Sequence, residues 1–147
     1  MTDKPLTIQR LTEVNGALAS QLNPLFDDGV AWDGEQGRRF LKNPDNLLLV
    51  AWWQGHACGF LTAHRLQRFD HRRAEVLLYE VGVDEEFRRR GVGTALIAAV
   101  KRWAAEVGAD EVWVLIETDN TAAQALYAAT GGQEDVPDCT MFTFTIA

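Results

Sequence analysis

The chain is poor in cysteine, poor in positive charge and without a long apolar run. Cys58 and Cys139 are its only cysteines. They show no C-x-x-C spacing and no dense framework, so two reduced thiols in a cytoplasmic protein are expected. His56, His64 and His71 are scattered without ligand spacing, which predicts no metal site. No apolar stretch is long enough to span a membrane, and "MTDKPLTIQR" lacks the apolar core of a signal peptide. Lys and Arg number 14 against 21 Asp and Glu, a net charge of -7. That balance disfavours non-specific DNA or RNA binding and suits a cationic small-molecule substrate. No repeat, low-complexity segment or linker interrupts residues 1–147, so one domain is expected.

The pattern that is present alternates strands and helices. "LTIQRL" (Leu6 to Leu11) alternates as a strand does. Asn15 to Phe26 carries Leu18, Leu22, Leu25 and Phe26 at helical spacing, with Pro24 predicting a break or kink. Gly34 to Lys42 reads as a short helix. Leu47–Trp53 and Ala57–Leu66 read as a hairpin turning at Gln54–Gly55, with Gly59 at a bulge. Ala74–Val83 reads as a long strand. Gly93 to Gly108 is the clearest helix, its apolar stripe being Leu96, Ala99, Val100, Trp103 and Val107. Glu111–Glu117 reads as a buried strand. Asn120 to Gly132 reads as a helix capped by Asn120 and stopped by Gly131, and Thr140–Ile146 as a closing strand. Trp52, Trp103 and Trp113 fall at positions expected to be core. The sum is an α/β (α+β) domain with a mostly antiparallel central sheet flanked by helices.

One stretch concentrates positive charge in this acidic chain: "EEFRRRGVGTALI". Three arginines precede Gly91-Val92-Gly93 and then a helix. The first amides of a helix have no intrahelical acceptor, and the helix dipole adds roughly half a positive charge there. Glycine lets a backbone approach a ligand closely, and arginine binds phosphate bidentately. Together these parts describe a pyrophosphate cradle. The plainer alternative is a solvated charge run beside a turn. Neither a P-loop G-x-x-x-x-G-K-[ST] nor the full dinucleotide fingerprint is present.

Arg88-Arg89-Arg90-Gly91-Val92-Gly93 resembles the R/Q-x-x-G-x-G/A motif of the GNAT superfamily of acyl-CoA N-acyltransferases. "NTAAQALYAATGG" resembles that superfamily's N-x-x-A-x-x-L-Y-x-x-x-G-F segment, with Asn120, Ala123, Leu126, Tyr127 and Gly131 matching by position. Gly132 departs, standing where an aromatic is usual. The two motifs together cover Glu75 to Gly132. More narrowly, "FDHRRAEVLLYEVGVDEEFRRRGVGTALI" resembles aminoglycoside 3-N-acetyltransferases of the gentamicin-resistance type.

The resemblance implies acetyl transfer from acetyl-CoA to an amine, here a polycationic small molecule, and a homodimer. It implies that amides of Arg89 to Thr94, including Val92 and Gly93, hold the pyrophosphate, with charge from the arginines. Val81 and Val83 would pair with the pantetheine arm, and Asn120 would reach it from the other side. The Val81 amide would stabilise the oxyanion. Glu80 would be general base or, alternatively, a binder of the substrate's ammonium groups. Tyr127 would protonate the leaving thiolate. Glu75, Glu117 and Asp119 are further acidic candidates for gripping a polycation, and Glu75 would otherwise be solvated. In "DDGVAWDG", Asp27, Asp28 and Asp33 with Trp32 would form an acidic lip over an aminosugar, or a surface loop with one anchoring aromatic. Two other functions stay open: peptide or polyamine N-acetylation, and acyl-CoA sensing without catalysis.

Overall fold

The computed structural model describes residues 4–26 and 34–147. Strands β1 (Leu6–Arg10), β2 (Asn46–Trp53), β3 (His56–Leu66), β4 (Ala74–Val83) and β5 (Ala109–Trp113) form one sheet in sequence order. The pairings β1–β2, β2–β3 and β3–β4 are antiparallel, and β4–β5 is parallel. A parallel step needs a crossover, which helix α3 (Val92–Glu106) supplies. Helices α1 (Gly16–Leu22) and α2 (Gly34–Lys42) follow β1, and α4 (Thr121–Ala129) follows β5. This is the mixed, mostly antiparallel α/β arrangement expected from the alternation of patterns.

Two apolar layers sandwich the sheet. On one face Leu47, Leu49, Leu61, Val76 and Leu78 meet Val92, Leu96, Val100 and Trp103 of α3. On the other, Leu48, Val50 and Phe60 meet Leu22, with Phe26 and Phe40 packed against them. Alternation along β2 therefore feeds both layers, which is why Leu47–Ala51 reads as an unbroken apolar run. Each fully buried leucine or valine contributes about 1.5–3 kcal/mol.

Local chemistry sets the boundaries. The Asn15 side chain accepts from the Leu18 amide at 2.8 Å and starts α1. Pro24 converts the following turn to a 3-10 helix, Asn23–Leu25. Gln54 and Gly55, at φ 48° and 82°, make the tight hairpin turn. Beside Gly59 the β2–β3 register shifts and leaves Cys58 as the extra residue of a bulge. Gly131, at φ 95°, ends α4.

Two expected strands need correction. Glu111–Glu117 is strand only as far as Trp113, and Leu115 is exposed. The β4–β5 pairing stops at Leu77 opposite Trp113, so the chain beyond has no partner to keep it extended. The closing strand Thr140–Ile146 is absent: the segment pairs with no described strand, and Phe142, Phe144 and Ile146 are 82–87% exposed. Alternating side chains favour a strand, but its amides and carbonyls still need a neighbour. Trp103 is buried as expected, whereas Trp52 and Trp113 are half-buried, each donating its indole N–H to a side chain.

Candidate active site

The parallel pair is the site's foundation. Because β4 and β5 pair only from Ala74 to Leu77, the outer edge of β4 from Leu78 to Val83 has no described strand beside it. Backbone donors and acceptors there are open to an extended ligand. Val81 and Val83 lie on this stretch, and their half-buried side chains pack into the α3-side core.

Past β4, Asp84 starts a short 3-10 turn, Glu85–Phe87, by accepting from the Glu86 amide at 3.2 Å. The Arg88 amide closes this turn onto the Glu85 carbonyl. From there the backbone opens. Among the described residues, no acceptor faces the amides of Arg89, Arg90, Gly91, Val92, Gly93 or Thr94, and the first engaged donor of α3 is Ala95, to the Gly91 carbonyl at 3.0 Å. Arg89 is left-handed at φ 63° without being glycine, a conformation that costs on the order of 1 kcal/mol. Gly91 is left-handed at φ 80°, and space around its missing Cβ is open. This unsatisfied row at the start of a 15-residue helix fits an anion, and with the open β4 edge it fits a diphosphate joined to an extended arm.

The three arginines differ. Arg88, Arg89 and Arg90 are all exposed. The Arg90 guanidinium lies 5.3 Å from the Trp53 ring centre and 5.1 Å from that of Phe87, so it holds the loop against the β2–β3 hairpin. Gly93 serves packing: a Cβ there would sit 3.1 Å from both Leu126 methyl carbons. Its small size brings α4 onto α3, and with it Tyr127. Gly132, where an aromatic was the usual residue, donates its amide to the Tyr127 carbonyl at 2.8 Å, and a Cβ would meet that oxygen at 2.9 Å.

Tyr127 is half-buried against the α3-side core, together with Val81. Burial pushes its hydroxyl above the usual 10.0, so it carries its proton at neutral pH. Glu80 faces the opposite layer, where its carboxylate accepts from the Thr62 hydroxyl at 3.2 Å. A bulge explains that direction. Thr62 pairs with Glu80 and Ala63 with Leu78, leaving Tyr79 as an extra residue. Tyr79 meets His64 edge-on at 5.7 Å, so Tyr79 and Glu80 project in succession from the face that bears Thr62 and His64. Thr62, His64 and Tyr79 were not among the site residues expected from the sequence. The available signal was the phase of β4: Ala74, Val76 and Leu78 face α3 before the bulge, and Val81 and Val83 after it.

Among the described residues, no hydrogen bond or ion pair joins the remaining candidates to Glu80. Glu75 is bound to Arg68 at 3.2 Å and to the Trp113 indole at 3.1 Å, and Asp110 holds the same arginine at 2.9 Å. It is a half-buried strut, not the solvated residue considered above. Glu117 and Asp119 are exposed in the turn before α4. Asn120 caps that helix, accepting from the Ala123 amide at 3.0 Å. Asp27, Asp28, Trp32 and Asp33 lie outside the described residues. A cleft of about 640 Å3 between Thr12–Val14 and α2 is lined by neither Glu75, Glu80, Glu117 nor Asp119, and it mixes Arg38, Arg39 and Lys42 with Glu13 and Glu35. No described helix is long and apolar enough to cross a membrane.

An open strand edge running toward bare helix-start amides defines an acyl-CoA-dependent acyltransferase class of site. The chain belongs to the acetyltransferase (GNAT) family, whose model matches residues 16–131. It is 30% identical to N-alpha-acetyltransferase RimI of Mycobacterium tuberculosis over 88% of this chain and 80% of that protein. It is 33% identical to aminoglycoside N(6')-acetyltransferase type 1 of Salmonella typhimurium over 74% of each. Mycothiol acetyltransferase of Clavibacter sepedonicus is 39% identical across 63% of this chain, which spans only 32% of that protein's length. An aminoglycoside acetyltransferase from an uncultured soil metagenomic sample superposes with a TM-score of 0.82 at 28% identity, covering 97% of this chain and 99% of that one. Another from such a sample, in complex with sisomicin, shares the fold with a TM-score of 0.85 at 24% identity, covering 97% of each.

Proposed function

We propose that this protein transfers the acetyl group of acetyl-CoA to an amine of an aminoglycoside-like polycation. The observation that carries the reading is the row of bare amides from Arg89 to Thr94 beside the open edge of β4. These amides would hold the diphosphate, Arg88 and Arg89 would add charge, and the β4 edge with Asn120 would hold the pantetheine arm. Acetyl-CoA supplies an activated acyl carbon when bound. Glu80 takes a proton from the ammonium group, and the freed amine attacks that carbon. The Val81 amide faces the oxyanion. The attacking nitrogen gives its second proton to water, the carbon–sulfur bond breaks, Tyr127 protonates the thiolate, and both residues return to their starting states by exchange with water, with one proton released overall. Glu80, beside the Thr62 hydroxyl, serves as base and as anchor for the cation.

The resemblance in the β4–α3 stretch implies the 3-N amine of gentamicin-like substrates, whereas the Salmonella relative is named for the 6' amine. A panel of aminoglycosides assayed for thiol release, with the acetylated nitrogen located by NMR, decides both points. No turnover of any member would overturn the drug-amine reading.

Peptide N-acetylation is the second reading, favoured by the RimI relative that covers most of the chain. Acetylation of a peptide array in preference to the aminoglycosides would establish it. We also assign a homodimer, supported by the exposed Phe142, Phe144 and Ile146 and by an outer edge of β5 that no described strand pairs. Alternating apolar residues with unmet backbone groups suit pairing with a second copy. The unpaired thiols Cys58 and Cys139 fit a reducing cytoplasm.

A further inference from the structure

We propose that Tyr79 is the platform for a ring-bearing acceptor such as an aminosugar, and that His64 and Asn46 fix its angle. The inference rests on the amine-acetyltransferase reading and adds the residue that selects a ring-bearing acceptor over a linear one. Tyr79 is 64% exposed in the middle of a strand, between the buried Leu78 and the exposed Glu80. It stands next to Glu80, on the face from which Glu80 meets Thr62. The bulge that turns both side chains the same way costs a ladder pairing, and it sets an aromatic face beside a carboxylate.

The ring is braced by a neighbouring imidazole. His64 meets it edge-on at 5.7 Å and 70°, and Phe40 of α2 meets His64 on another side at 5.7 Å and 76°. Asn46 donates its amide to the Phe40 carbonyl at 3.0 Å and presents its oxygen to His64 Nδ1 at 2.8 Å. With that oxygen as acceptor, Nδ1 carries the proton and the imidazole plane is set. Asn46, Phe40 and His64 thus tie the α2 end to Tyr79, so the exposed ring is held in advance of any ligand.

An aromatic face carries negative potential and attracts polarised C–H groups and cations. A sugar offers a rigid ring of C–H groups with an ammonium at its rim. Laid on Tyr79, that ring would bring an amine beside Glu80. A linear polyamine has charge but no rigid apolar face, and gains far less from the platform.

The test compares acetylation of sisomicin with that of spermidine in the full chain. Tyr79→Ala is expected to lower kcat/KM for sisomicin about tenfold more than for spermidine, mainly through KM. Tyr79→Phe should keep the wild-type preference. His64→Ala should shift preference in the same direction, and His64→Phe, which preserves the edge contact, should restore it. Circular dichroism and acetyl-CoA affinity check that each variant is folded. Equal losses on both amines, or no loss, would overturn the platform while acetyl transfer stands. A wild type that acetylates spermidine but not sisomicin would do the same. A wild type that acetylates neither would overturn the proposed function and the platform with it.

Discussion

The Thr62 hydroxyl donates to the Glu80 carboxylate at 3.2 Å, from a buried position on β3 to an exposed one on β4. The contact exists because the bulge at Tyr79 turns Glu80 onto the face of Thr62. It ties the proposed base to the sheet while leaving most of the carboxylate in reach of a cation.

Glu80→Gln removes the base and keeps the shape. We expect kcat to fall by about 10²–10⁴-fold, with acetyl-CoA affinity retained and the pH–rate profile changed. Thr62→Val, which removes only the hydrogen bond, should lower kcat by about tenfold or less. Steady-state kinetics across pH reads both. An unchanged profile in Glu80→Gln would reduce Glu80 to an ammonium binder.

Tyr127 keeps its proton beyond pH 10.0 because burial disfavours the phenolate. Its proton-donating form is therefore lost only above that pH, and any alkaline limb it causes lies there. The raised value also contributes stability that is present below pH about 10 and lost as pH rises through the folded-state value. Ultraviolet titration of the phenolate, compared with Tyr127→Phe, measures the shift. The same variant should slow turnover by about 10²-fold or more, and wild-type rates would remove the acid role.

Much of this arrangement was legible in the residues. Helix α3 announced itself through Leu96, Val100 and Trp103, and Asn120 marked the start of α4, because both signals are local. The arginine–glycine stretch pointed to bare amides for the same reason. What escaped was non-local. The Tyr79 bulge is a matter of register against β3, and the sequence of β4 shows it only as a shift in which residues face α3. Gly93 looked like a concession to a ligand, but its neighbour is Leu126, 33 residues later on α4. Glu75 looked solvated because Arg68 and Trp113 reach it only through the fold. Thr140–Ile146 has the alternation of a strand and lacks the partner that would make it one.

Gly93→Ala should push Leu126 and carry Tyr127 away from β4. Overpacking of this kind costs about 1–3 kcal/mol, so we expect a lower Tm together with a lower kcat. Leu126→Ala in the same chain should relieve the clash, and the double variant should lose less than the sum of the singles. Strict additivity in thermal unfolding would contradict the contact.

Removing residues 140–147 should convert the proposed dimer to a monomer in sedimentation equilibrium, with helical circular dichroism preserved. Phe142→Ser with Phe144→Ser should act in the same direction. A full chain that is monomeric at every concentration, or a truncated chain that remains dimeric, would contradict the assigned interface.

The central claim is that main-chain amides from Arg89 to Thr94 grip the diphosphate of coenzyme A. Amide chemical shifts of the isotope-labelled protein, followed during titration with CoA and separately with pantetheine, test it most directly. The account predicts that CoA moves the amide signals of Arg89, Gly91, Val92, Gly93 and Thr94 strongly and that pantetheine, lacking the diphosphate, does not. Saturable CoA binding that leaves those signals in place would contradict it.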